Sequence, residues 1–175
     1  MSADEAKAEP LEDLTEITSA LGTALAQWGV VEGELYLLYL CLCRGGEYPN
    51  TYSVIYETIV HLDGKLSAID ALVRFRINNE ETLAEWTALQ NRTKRKIRKV
   101  RNKLAHWRIY SRNRDGKTIV FLGPPMYLPT NQVPNFGTAH GGAMFAPDLL
   151  THAKNFSALA QDIRKFWKAS FTMTF

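Results

Sequence analysis

From Leu14 to Leu42 one pattern of apolar residues repeats four times, and it constrains the fold more than any other feature of the chain. One seam position reads Leu14, Leu21, Trp28, Leu35 and Leu42; the other reads Ile17, Ala24, Val31 and Leu38. Alternating steps of four and three return to the same side of a helix, so the stretch predicts a long helix packed along a stripe, as in a bundle. Gly45-Gly46 and then Pro49 supply its end. The first ten residues, rich in acid, read as a frayed tail.

The spacing recurs twice. A second helix starting near Asn50-Thr51 carries Ile55, Ile59, Leu62, Leu66, Ile69 and Val73. Asn78-Asn79 breaks it and caps a third, which opens with Glu80 and Glu81 as the helix dipole prefers. The third seam reads Leu83, Trp86, Gln90, Thr93, Ile97, Val100 and Leu104, with no Gly or Pro from residue 80 to about residue 108. The period then changes. β-rich runs at 108–111 and 117–122 flank Asp115-Gly116, which predicts a hairpin over residues 108–122. Residues 123–147 are rich in Pro and Gly and read as an irregular loop. Pro147-Asp148 opens a last helix with Leu149, Phe156, Leu159, Ile163 and Phe166 inward. The expected fold is mainly all-α: a four-helix bundle with a small β-hairpin and a long loop inserted before the last helix. A chain of 175 residues fits one domain, spanning 1–175.

Composition removes several classes. Hydrophobic residues at 46% and charged residues at 22% match an ordinary globular chain and exclude global disorder. No apolar run approaches the ~18 residues of a membrane span, and the acidic N-terminus does not read as a signal peptide. Cys41 and Cys43 point about 200° apart on a helix, which suits neither a disulfide nor a metal clip; they read as small core residues in a reducing, cytoplasmic setting. Trp28, Trp86 and Trp107 read as packing residues rather than base-stacking platforms.

Charge is the informative departure. Residues 92–117 hold 12 of the 21 Lys and Arg against one acid, Asp115, a local net of +11. The remainder, with 9 bases and 17 acids, has a net of −8. A block of this kind is either a solvated helix face or the footprint of a polyanion site. Most catalytic templates are missing: there is no phosphate loop, GxGxxG, HExxH or Cys-x-x-Cys, and His61, His106, His140 and His152 lack metal-ligand spacing. No metal and no cofactor is expected.

What stands out is Arg101-Asn102-Lys103-Leu104-Ala105-His106 at the end of the basic helix. Asn102 and His106 lie one turn apart on one face; His106 falls about 150° from the centre of the apolar seam and Arg101 about 70°. His106 is therefore expected to look outward, near Arg95, Arg98, Lys99 and Lys103, which are candidate nucleic-acid contacts. Glu32, beside the seam between Val31 and Leu35, is expected either to seek a base, Arg101 being the attractive one, or to reach solvent.

The Arg-Asn-x-x-x-His run in a helical bundle resembles the HEPN superfamily (higher eukaryotes and prokaryotes nucleotide-binding). Its motif is an arginine, usually followed by Asn, Asp or His, with a histidine a few residues beyond. Arg101, Asn102 and His106 match it, with four residues between Arg101 and His106. The resemblance implies a helical bundle, frequent dimers and, in many members, metal-independent RNA cleavage, with Arg101, Asn102 and His106 as the catalytic set and Glu32 in support. It suggests a homodimeric endoribonuclease cutting RNA by 2′-hydroxyl attack, in a toxin or phage-defence setting with an antitoxin protein as partner. Two chains would supply two histidines, so the third helices of two protomers are expected to bring both His106 side chains to one cleft, with Tyr127, Phe136 or Phe145 bordering it. The alternative is a non-catalytic HEPN-like bundle binding nucleotide, nucleic acid or a protein partner.

Overall fold

The computed structural model describes residues 9–43, 49–114, 116–125 and 143–171. The elements run α1 (Glu9–Leu42), α2 (Pro49–Thr58), α3 (Leu62–Arg76), α4 (Glu80–Arg92), a π-helical segment (Thr93–Ile97), α5 (Arg98–His106), β1 (Arg108–Arg114), β2 (Lys117–Gly123) and α6 (Ala146–Ser170). The fold is mainly helical, with a two-stranded antiparallel hairpin before the last helix. Among the described residues no helix is long and apolar enough to cross a membrane.

Contacts within the chain gather into two compact units, Met1–Ala26 with Val100–Lys154, and Gln27–Lys99 with Asn155–Phe175. The second is a helical bundle. Its core holds Trp28 edge-on to Phe156, with ring centroids 5.6 Å apart, and Trp86 tilted on Phe166 at 5.7 Å. Leu35, Leu38, Leu66, Ile69, Val73, Leu159 and Ile163 are buried in the same unit, and the Tyr39 and Tyr56 ring centroids lie 4.9 Å apart. Burial pushes the Tyr39 phenol up to about 12, so that hydroxyl stays protonated in the core. Asp70 accepts the Trp86 indole N–H at 2.9 Å and so satisfies a buried donor.

The other unit carries the N-terminal part of α1, α5, the hairpin and the first turns of α6. Its buried residues include Ile17, Ala20, Ala24, Leu104, Val120, Phe121, Leu122, Met144 and Leu149. The hairpin follows its sequence signal: Arg108 pairs with Gly123 and Arg114 with Lys117, and Gly116 takes the left-handed φ of 78° that the tight turn requires. Met144 bridges the far edge of β2 through two 2.8 Å hydrogen bonds with Leu122. The Asp148 carboxylate accepts the Phe145 N–H at 3.0 Å and closes the start of α6, one residue earlier than Pro147 suggested.

Three helical expectations change. The second helix is two helices, α2 and α3, separated at residues 59–61. Thr58, Ile59 and Val60 are consecutive β-branched residues, which crowd a helix, and the chain bends there instead. Gly64 makes room for the bend, since a Cβ at that position would lie 2.7 Å from Ile59 Cγ2. Ile55 is consequently 46% exposed, and Tyr56 takes the inward position. The third helix is continuous but carries one π turn, so its seam steps from Ile97 directly to Leu104, with Val100 and Arg101 both half-buried. In α1 the seam holds from Ile17 onward, but Leu14 is 43% exposed. Helix begins at Glu9, within the stretch expected to be frayed; residues 1–8, Gly45-Gly46 and most of the 123–147 loop lie outside the described residues.

Candidate functional site

The candidate residues sit where α5 ends. Asn79 starts the third helix by accepting the Thr82 N–H at 2.8 Å, and Glu80 and Glu81 follow in the first turn. From there the helix runs to His106 without a Gly or Pro. Its C-terminal turns are anchored by Leu104, which is 3% exposed. That anchor fixes how the polar neighbours point. Arg101 is half-buried, Asn102 and His106 are exposed, and Arg101 Nη1 lies 3.5 Å from Asn102 Oδ1. A contact that long is weak. It nonetheless leaves the guanidinium fork beside the amide, with donors to offer a phosphate. His106 looks outward, as the helical spacing predicts.

The surrounding bases divide by role. Arg95 and Lys99 are exposed. Arg98, expected to contact nucleic acid, instead pairs with Asp63 of α3, and Arg92 Nη2 bonds Asp162 of α6 at 2.7 Å. These two hold helices together within the Gln27–Lys99 unit. Lys103 places its ammonium 4.8 Å from the centre of the Trp107 ring, a cation–π contact that covers one face of a half-buried indole. Trp28 and Trp86 are core residues, as expected, at 4% and 1% exposure.

Glu32 is exposed, so its carboxylate is solvated and has no need of a buried base. The buried carboxylate belongs to Glu34, two residues on, which is 3% exposed. Its Oε1 accepts Arg164 Nε at 2.9 Å and Nη2 at 2.5 Å, and its Oε2 accepts the Trp167 indole N–H at 3.0 Å. Glu34 lies three residues after Val31 and four before Leu38, so the same seam arithmetic reaches it. Leu35 filled that position first in the sequence reading and hid it.

His152 was not singled out by its sequence. It is half-buried on α6, one turn after Asp148. Burial holds its imidazole below the ordinary value; Asp148 opposes that shift, and Lys103 adds to it. Lys103 is therefore close enough for its charge to be felt at His152, and it lies three residues before His106 on α5. The spacing Asp148-x-x-x-His152, a carboxylate and an imidazole one helical turn apart, is the signal that could have found it.

Cys41 and Cys43 form no disulfide and are only half-buried, less enclosed than their small-core reading implied. Burial pushes both thiols up, so neither is an activated nucleophile. Among the described residues no group of His, Cys, Asp and Glu could hold a metal ion. Tyr127 and Phe136 lie outside the described residues; Phe145 is 43% exposed at the start of α6. No protein-family model, curated protein or solved structure matches this chain.

Proposed function

We propose that this protein is a metal-independent endoribonuclease of the HEPN kind, acting on RNA as a homodimer. One observation carries the reading: Arg101 beside Asn102, with His106 exposed on the same helix, in a stretch with no acid but Asp115 between Glu85 and Asp148. RNA contains its own nucleophile. The 2′-oxygen bonds to the adjacent phosphorus as its proton passes to a base, and the bond from phosphorus to the 5′-oxygen breaks as that oxygen takes up a proton. The products are a 2′,3′-cyclic phosphate and a 5′-hydroxyl. Imidazole is the side chain best matched to such proton transfers near neutral pH, so His106 serves as acid–base. Arg101 stabilises the charge on the non-bridging oxygens, and Asn102 orients the phosphate.

One imidazole does not readily give and take protons in the same step. A twofold dimer would present a second His106 across a shared cleft. The basic helices repel each other there, and the bound polyanion offsets that repulsion. An activity of this sort suits a toxin or phage-defence component restrained by an antitoxin protein.

The test is cleavage of mixed RNAs by purified protein in the presence of chelator, with Arg101→Ala and His106→Ala beside wild type. Loss of cleavage in both variants supports the proposal. Equal cutting by all three refutes it, and tight RNA binding without cutting replaces it with a non-catalytic binder.

A further inference from the structure

We propose that one face of the β1–β2 hairpin is a docking surface for unpaired RNA, separate from the Arg101–His106 turn of α5. The proposal rests on RNA being the ligand and adds a second place where it binds. The strand register decides which residues share that face. Tyr110 lies opposite Phe121, Arg112 opposite Ile119, and Arg108 opposite Gly123. Alternate residues of a strand point the same way, so Arg108, Tyr110 and Arg112 share a face with Lys117, Ile119 and Phe121. Arg108, Arg112 and Lys117 are all exposed. The other face sends Val120 and Leu122 into the core.

Beside these cations lies a row of rings. Tyr110 and Phe121 stack with centroids 5.8 Å apart and planes 29° apart, and Phe145 follows at 6.4 Å from Phe121. The row is held firmly. The Tyr110 hydroxyl donates to Pro124 O at 2.9 Å, the Leu122–Met144 bridge ties the preceding residue to β2, and Asp148 holds the Phe145 N–H. Phe145 closes the row and is 43% exposed.

An exposed ring at one end of a face that carries three cations along its strands matches what unpaired nucleotides need. Phosphates meet Arg108, Arg112 and Lys117, while a base stacks on Phe145. A duplex has no free base face to offer that ring, so the chemistry selects single strands. Charge favours a polyanion here over an acidic or neutral protein segment that lacks stacking groups, because Asp115 is the single acid between Glu85 and Asp148.

The experiment measures binding of a fluorescent, 2′-O-methylated single-stranded RNA of roughly 12 nucleotides, which cannot be cut, across a salt series. Proteins compared are wild type, Arg112→Ala/Lys117→Ala and Phe145→Ala, each checked for an unchanged melting curve. Removing two phosphate contacts should lower the slope of log affinity against log salt by about 1.4. Phe145→Ala should weaken binding roughly tenfold without changing that slope. A double variant with wild-type slope and affinity overturns the proposal, as does failure of wild type to bind. Equal affinity for duplex RNA, unaffected by Phe145→Ala, overturns the assignment to single strands. Cleavage of ordinary RNA is scored separately, so loss of the hairpin effect and loss of the ribonuclease reading are distinguishable.

Discussion

Replacing Glu34 by alanine should destabilise the protein by about 2–4 kcal/mol, and the structure says why. The carboxylate is 3% exposed and spends both oxygens on the Arg164 guanidinium and the Trp167 indole. Alanine leaves the Trp167 N–H, on a side chain 8% exposed, without its acceptor. A buried donor stranded in this way costs about 1–3 kcal/mol, and the small void left behind adds roughly another 1. Arg164 contributes little to the loss, because its side chain is 52% exposed and turns into water when the carboxylate is gone. For a chain of this size the change should lower Tm by roughly 4–16 °C. Arg164→Met should be worse than Glu34→Ala, since it leaves a buried carboxylate facing only the indole. Adding Glu34→Gln to Arg164→Met should restore much of the loss. Urea denaturation followed by fluorescence reads all four. A Glu34→Ala protein within about 0.5 kcal/mol of wild type would refute the reasoning, as would an Arg164→Met protein milder than Glu34→Ala.

Alanine at Gly22, Gly29 or Gly33 of α1 meets no atom within 4 Å, so each should stabilise by about 0.5–1 kcal/mol in thermal melts; Gly64→Ala should not, because its Cβ collides with Ile59. Acid should expose the depressed basicity of His152. Above its ordinary value of 6.5 both folded and unfolded states are neutral there; as pH falls below it, the unfolded chain takes up a proton that the folded chain refuses, and stability drops until the folded value is passed. His152→Gln should therefore lose less stability than wild type as pH falls below 6.5, and an identical profile would contradict this. Asn79→Ala should cost about 1 kcal/mol by removing the acceptor for the Thr82 N–H, read by the same melts.

Elements with one dominant local signal were legible in the sequence. Leu149, Phe156, Leu159, Ile163 and Phe166 of α6 all reach the core, at 1% exposure or less. Asn79 caps, and Asp115-Gly116 sits between two paired strands. What escaped was decided by competition between signals. The apolar spacing of residues 55–73 suits one straight helix, but Thr58-Ile59-Val60 and the close approach at Gly64 outweigh it. The π turn at Thr93–Ile97 adds a residue to one turn, and no spacing rule marks such an insertion.

At the site, helix periodicity was enough to place His106 outward and Arg101 at the seam's edge, because Leu104 anchors that turn. It was not enough to tell Arg98, spent on Asp63, from the exposed Arg95 and Lys99, since ion pairs between helices leave no periodic trace. Glu32 and Glu34 show the same limit. Both flank the seam, and only the partners on α6 decide which one is buried. The hairpin face of Arg108, Tyr110 and Arg112 needed the strand register before its charges and rings could be seen to share a side.

The ribonuclease reading stands or falls on how an RNA strand ends after exposure to the protein. In chelator, with a defined single-stranded RNA, wild type should leave fragments carrying a 2′,3′-cyclic phosphate and a 5′-hydroxyl, and His106→Gln should leave the strand whole. Fragments ending in a 3′-hydroxyl and a 5′-phosphate, or equal cutting by the His106→Gln protein, would contradict it.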